Sequence, residues 1–222
     1  MSSPRAVLFD LDGVITDTAD LHFRSWQRLT AERGIAFDRS VNEKLLGLGR
    51  PESLKVVLGD QWATTSEDQR SELLVRKNDY FLESVAALTP NDAFPGIQQL
   101  IDALLADGVR IAVASSSRNA RVVLDQLQLR QRFAAIVDGN DVPKSKPAPD
   151  VFLEAARQLE VTPDRCVVLE DAANGVQAAQ AANMFVIGIG PAQRVGAADL
   201  WVASHAEVTP ALVLESLAAD RN

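Results

Sequence analysis

Short apolar runs that end in polar residues recur along the chain. Val7, Leu8 and Phe9 stop at Asp10, RIAVA gives way to three serines, and VVL runs into Glu170 and Asp171. Unbroken apolar runs of this length suit strands covered on both faces. They predict strands at 5–11, 110–116, 134–138, 165–171 and 184–190, with a short last one at 199–204. Between them, apolar positions recur every three or four residues, as in IQQLIDALLADG at 97–108. Further helices are expected at about 119–128, 146–160 and 173–182, the second with prolines in its first turn. Strands alternating with helices predict parallel βαβ units.

The segment after the first strand reads differently. Helical patterns cover about 17–33, 38–46, 51–59 and 66–87, and no strand pattern occurs between 16 and 92. GLGRP at 47–51 reads as a loop from its Gly and Pro content. The expected fold is α/β: a Rossmann-like parallel sheet core, residues 1–15 and 93–222, with an inserted helical cap domain, residues 16–92.

Composition narrows the function without naming it. The 222 residues are 47% hydrophobic and carry a net charge of −8. An acid excess argues against nucleic acid, whose binding rests on Lys and Arg neutralising phosphates. No apolar stretch approaches the about 18 residues of a membrane span, so no membrane association is expected. The start, MSSPRAVLFD, reads unlike a secretory leader, and the single cysteine, Cys166, allows no intrachain disulfide. A cytoplasmic location is expected, with Cys166 as an inert buried thiol.

The strand tips hold the candidate chemistry. In an open parallel sheet, ligands bind beyond the carboxyl ends of the strands. Right-handed crossovers would bring Asp10, Asp12, Ser115–Ser117, Lys146, Glu170 and Asp171 to one edge. Four carboxylates so close would repel or take up protons unless a cation joined them. Mg²⁺ prefers carboxylate, water and phosphate oxygens, whereas a lysine and serines suit phosphate itself. The combination points to phosphoryl transfer.

DLDGVITD, ASSS, KSKPAPD and VVLED, in this order and spacing, resemble the four motifs of the haloacid dehalogenase-like hydrolases. The resemblance spans essentially the whole chain. DLDGVITDTADLHFRSW, GLGRPES, ASSSRN, SKPAPDVF and LEDAANG are most similar to the β-phosphoglucomutase branch. That likeness implies interconversion of β-D-glucose 1-phosphate and glucose 6-phosphate through an aspartyl phosphate and β-glucose 1,6-bisphosphate. A Mg²⁺-dependent sugar-phosphate phosphatase is the alternative, and a non-catalytic sugar-phosphate binder ranks behind both. The partner is a small phosphorylated sugar, and a monomer is expected.

By resemblance, Asp10 is the nucleophile and Asp12 the general acid/base. Asp10, Asp12 (through its carbonyl), Glu170 and Asp171 hold Mg²⁺, and Ser115 and Lys146 hold the transferring phosphoryl group. Lys146 is preferred over Lys144 because it directly precedes PAPD. Arg50, Ser117, Arg118 and Asn119 form a distal phosphate site, although Gly49 stands where the family pattern has serine. Thr18 and His22 share one helix face, and the resemblance places Thr18 near the hinge and His22 against Asp12. Lys77 either faces the cleft or is a solvated helical charge. His205 reads as surface, and Trp26 and Phe23 as cap core.

Overall fold

The computed structural model describes residues 5–218; residues 1–4 and 219–222 of the expected core lie outside them. Six strands form one parallel sheet among the described residues: β1 (Ala6–Phe9), β2 (Arg110–Ala114), β3 (Ala135–Val137), β4 (Cys166–Glu170), β5 (Phe185–Ile189) and β6 (Leu200–Val202). Their spatial order is β3-β2-β1-β4-β5-β6. The chain steps outward from β1 on one side as far as β3, then crosses back to β4. The crevice beside β1 is therefore the topological switch point, where sheets of this kind bind ligands.

Alternation along each strand builds two apolar layers. Val7, Phe9, Ile111, Val113, Val167 and Leu169 face one side, and Ala6, Leu8, Ala112, Cys166 and Val168 the other. Both layers are covered, which is why these strands lack the apolar–polar alternation of a half-exposed sheet. The second layer packs against Val151, Phe152, Ala155 and Ala156 of α7 (Asp150–Gln158) and Val176, Ala178 and Ala179 of α8 (Ala173–Ala181). On the first layer, α5 (Ile97–Ala106) buries Ile97, Leu100, Ile101 and Leu104, the apolar face of an amphipathic helix. Beside it lie α6 (Ala120–Gln126) and α10 (Pro210–Ala218). α10 and the short α9 (Ala192–Val195) escaped the sequence pattern.

The cap consists of α1 (Ala19–Ala31), α2 (Arg39–Glu43), α3 (Arg50–Leu58) and α4 (Glu67–Val85). Trp26, Leu29, Leu45, Leu54, Val57, Leu58 and Leu73 form its own core. A reciprocal capping box between Ser66 and Gln69 starts α4. The outgoing and returning chains run side by side: Thr16 bridges Ala93, and Phe94 N–H donates to Ile15 O at 2.9 Å. A bend at this paired crossing could swing α1–α4 without breaking β1 or α5.

Most elements are a residue or more shorter at one or both ends than the sequence pattern predicts, and two of the boundaries that move lie at prolines. The GLGRP loop ends at Gly49, and Arg50 already opens α3, because Pro51 suits the first helical turn and lacks only an N–H that would be unpaired there. The helix expected from 146 begins at Asp150. Pro147 and Pro149 disfavour helical geometry in the residues before them, so Lys146 stays in the loop.

Candidate active site

Strand register sets the floor of the site. Phe9 pairs with Val113 on one side and Leu169 on the other, so Asp10 emerges between the tips of β2 and β4. Its N–H donates to Leu169 O at 3.0 Å. Lys146 arrives from the loop after β3, with Nζ 2.5 Å from Asp10 Oδ1 and 2.6 Å from Glu170 Oε1. Lys144 stays exposed. Glu170 Oε2 accepts the Ala172 N–H at 2.8 Å. A Cβ on Gly175 would collide with the Glu170 carboxylate, so α8 can begin this close to the acid only with glycine there. Ser115 is fully buried, and its Oγ accepts the Ser117 N–H at 3.0 Å.

One carboxylate oxygen each from Asp10, Glu170 and Asp171 lies within 4.8 Å of the others. Burial raises the Asp10 carboxyl well above its ordinary range; Lys146 opposes this, and Glu170, Asp12 and Asp171 add to it. Burial, then Glu170, pushes Asp171 up to about 8 against the pull of Arg194. Burial also works against charge on Lys146, but Asp10 and Glu170 outweigh it and leave this pKa raised. One ammonium is too little for three crowded acids. A hard divalent cation fits such an all-oxygen donor set.

Asp12 lies just above. Burial raises its pKa, while the Thr18 hydroxyl donates to Oδ1 and stabilises the anion. His22 Nε2 is 3.9 Å from Asp12 Oδ2, and His22 Nδ1 is 2.5 Å from Lys77 Nζ. Burial, then Lys77 and Arg50, holds His22 well below its ordinary pKa, so the ring is neutral. A donation from Lys77 to Nδ1 would put the ring proton on Nε2, the nitrogen nearer Asp12. Lys77 is only 1% exposed, which excludes the solvated reading. Burial, then Arg50, lowers its pKa well below the usual value.

A cavity of about 780 Å³, its open mouth included, lies between cap and core. Asp10, Asp12 and Asp171 line one end; Arg50, Ser117 and Arg118 also line it, with Trp26, Asn42, Leu46, Leu48 and Ser53 on the cap side. Trp26 thus serves both cap core and cavity wall. Ser53, one turn beyond Arg50 on α3, faces the same way. Burial lowers the Arg50 pKa, and nearby Arg118 lowers it further. A partly buried guanidinium, Arg50, facing the exposed Arg118 across the same cavity is suited to holding an anion. Asn119, next to the lining residue Arg118, donates from Nδ2 to Asn78 Oδ1 of the cap at 2.8 Å.

Sequence reasoning placed Ser116 in the strand-tip cluster but did not foresee the grip that it and Asn174 have on the cap loop. Ser116 Oγ donates to Gly47 O at 3.0 Å, and Asn174 Nδ2 donates to Leu46 O at 2.9 Å. Each is close in sequence to a floor residue, Ser115 or Asp171. That adjacency was the available signal, but their acceptors are backbone groups that no motif marks. His205 was also misplaced. It is half-buried, stacks on Phe94 with ring centroids 3.8 Å apart, and lies 2.9 Å from Gly13 O.

With this geometry fixed, likeness to known proteins adds the lineage. A sequence model of haloacid dehalogenase-like hydrolases matches residues 4–183. The chain belongs to that family. It is 42% identical over 213 residues to the β-phosphoglucomutase of Bacillus subtilis, covering 95% of this chain and 94% of that one. A phosphorylated carbohydrates phosphatase of Thermotoga maritima is 27% identical over 96% of this chain and 97% of its own. Among solved structures, a β-phosphoglucomutase from Clostridium difficile superposes with a TM-score of 0.94 at 35% identity, covering 97% of both chains. The enzyme is thus similar over its full described fold to phosphoryl-transfer proteins. No helix of the described residues is long and apolar enough to cross a membrane.

Proposed function

We propose that the enzyme is a β-phosphoglucomutase that interconverts β-D-glucose 1-phosphate and glucose 6-phosphate. The observation that supports this over simple hydrolysis is a cation on each side of one cavity, one buried behind its floor acid and one in its wall. Lys146 stands beside Asp10 at the floor, and Arg50 with Arg118 lines the wall. A sugar bisphosphate needs both.

Asp10, the Asp12 carbonyl, Glu170 and Asp171 would hold Mg²⁺. Bound there, the ion neutralises charge on the phosphoryl oxygens. In the phosphorylated enzyme, the sugar's 6-hydroxyl attacks the phosphorus on Asp10. Its proton passes to the Asp12 carboxylate, and the bond from phosphorus to Asp10 breaks. This yields β-glucose 1,6-bisphosphate. After the bisphosphate turns over, Asp10 attacks the 1-phosphate, Asp12 returns the proton to the leaving sugar oxygen, and glucose 6-phosphate departs. Asp12 alternates between acid and base, which its raised pKa favours. Lys146 and Ser115 would steady the moving phosphoryl group, and Arg50 and Arg118 the stationary one. Cap closure keeps water from Asp10 while it is phosphorylated.

The test supplies β-glucose 1-phosphate, Mg²⁺ and a trace of β-glucose 1,6-bisphosphate, and follows glucose 6-phosphate and inorganic phosphate together. Glucose 6-phosphate should dominate. Rapid phosphate release with little glucose 6-phosphate would replace the mutase with a phosphatase.

A further inference from the structure

The turn that carries Asp12 is held at both of its peptide groups. Gly13 adopts a left-handed φ of +85°, and any Cβ there would strike the Asp171 carboxylate. Its N–H donates to Thr16 O at 2.9 Å. In a trans peptide the carbonyl points opposite to the N–H, so this bond also aims the Asp12 carbonyl. The next peptide is held from elsewhere. His205, which follows β6 in a short 3₁₀ turn (His205–Glu207), places Nε2 2.9 Å from Gly13 O.

The imidazole is itself fixed. It stacks on Phe94, with planes 20° apart, and Phe94 belongs to the chain returning from the cap. Phe94 N–H is bound to Ile15 O, two residues beyond Gly13. One ring therefore joins three segments: the acid/base turn, the returning crossing and the C-terminal end of the sheet. A carbonyl can only accept, so His205 must donate from Nε2, which a neutral ring does.

We propose that His205 is a positioning residue for the phosphoryl-transfer reaction: by donating to Gly13 O it fixes the Asp12–Gly13 turn, and with it both the acid/base carboxyl and the carbonyl that would hold Mg²⁺. It lines neither the cavity nor the cluster of Asp10, Glu170 and Asp171. The inference rests on the mutase reading above for its reaction, but not for its metal arm.

Two variants separate the donor from the ring. His205→Phe keeps an aromatic face on Phe94 and removes the N–H. His205→Gln offers an amide N–H at about the position of Nε2 and removes the ring. Each is assayed for glucose 6-phosphate formation, for Mg²⁺ affinity by calorimetry without sugar, and for thermal unfolding. Loss of one neutral hydrogen bond corresponds to about a two- to tenfold effect. His205→Phe should lower kcat and weaken Mg²⁺ binding by that amount, with KM for the sugar phosphate unchanged. His205→Gln should restore both to within about twofold of the parent even if its unfolding temperature falls. Parent-like kcat and Mg²⁺ affinity in His205→Phe would overturn the proposal. So would equal losses in the two variants that follow only their unfolding temperatures. If the parent forms no glucose 6-phosphate, the mutase reading fails, while the Mg²⁺ titrations still decide whether His205 positions the turn.

Discussion

Replacing Ser116 and Asn174 together by alanine tests how the cap is kept shut. Both donate to backbone carbonyls of the cap loop, at 3.0 Å and 2.9 Å, and neither lies among the acids or cations assigned to the chemistry. A neutral hydrogen bond contributes a net of about 0.5–1.5 kcal/mol. Losing two therefore removes about 1–3 kcal/mol from the closed form, a shift of about 5- to 150-fold in the ratio of closed to open. The carbonyls are adjacent, so the double variant should fall short of the product of the singles. The assay measures glucose 6-phosphate and inorganic phosphate from the same reaction. The double variant should lose transfer efficiency by more than the about twofold expected of one bond, and its share of phosphate release should rise, since an open cap would admit water to a phosphorylated Asp10. Its unfolding temperature should fall by only a few degrees, about 2–4 °C per kcal/mol at this size, because the folded core survives with the cap open and neither alanine leaves an apolar cavity. Parent-like efficiency and product ratio in the double variant would refute the idea that these two contacts govern closure.

Two further outcomes follow from the charges of the site. Arg50→Ala should lower kcat/KM for β-glucose 1-phosphate by about 10- to 100-fold, the range for a hydrogen bond to a charged group. It should barely alter cleavage of acetyl phosphate, which has no second anionic end; equal losses on both substrates would remove Arg50 from the distal pole. The second outcome concerns pH. Asp171 moves from an ordinary 3.8 to about 8, so across that window the folded, metal-free chain holds a proton that the unfolded chain has released. Metal-free stability should therefore fall as pH rises through the window. Mg²⁺ needs the ionised carboxylate, so its stabilising effect should grow over the same range. Unfolding temperatures with and without Mg²⁺ at several pH values measure both, and a Mg²⁺ increment independent of pH would contradict the assignment.

Much of the fold was legible because its signals are local. Strands buried on both faces produce plain apolar runs, and α5 shows its buried face in the spacing of Ile97, Leu100, Ile101 and Leu104. Asp10, Lys146 and Asp171 could be read because each sits at or after a strand end, and parallel topology gathers such ends. What could not be read depends on pairing across the chain. His205 looked like a surface residue because its partner, Gly13 O, is 192 residues away and is a backbone atom. The bond from Asn119 to Asn78 of the cap could not be read from the sequence either, because the two are 41 residues apart. Ser116 and Asn174 likewise meet carbonyls, which carry no sequence identity. Arg50 was placed in a loop because Gly and Pro mark breaks in sequence, although Pro51 in fact opens a helix.

The most direct test of the account asks whether Asp10 carries the phosphoryl group between the two positions of the sugar. The enzyme is mixed with β-glucose 1,6-bisphosphate labelled in its phosphoryl groups, quenched in acid within milliseconds, and digested for peptide mapping. The account predicts label on the peptide of β1, at Asp10, and transfer of that label into sugar bisphosphate when unlabelled β-glucose 1-phosphate is added before the quench. It predicts neither in Asp10→Asn. Glucose 6-phosphate formed at the parent rate with no label on Asp10, or with label on another side chain, would contradict it.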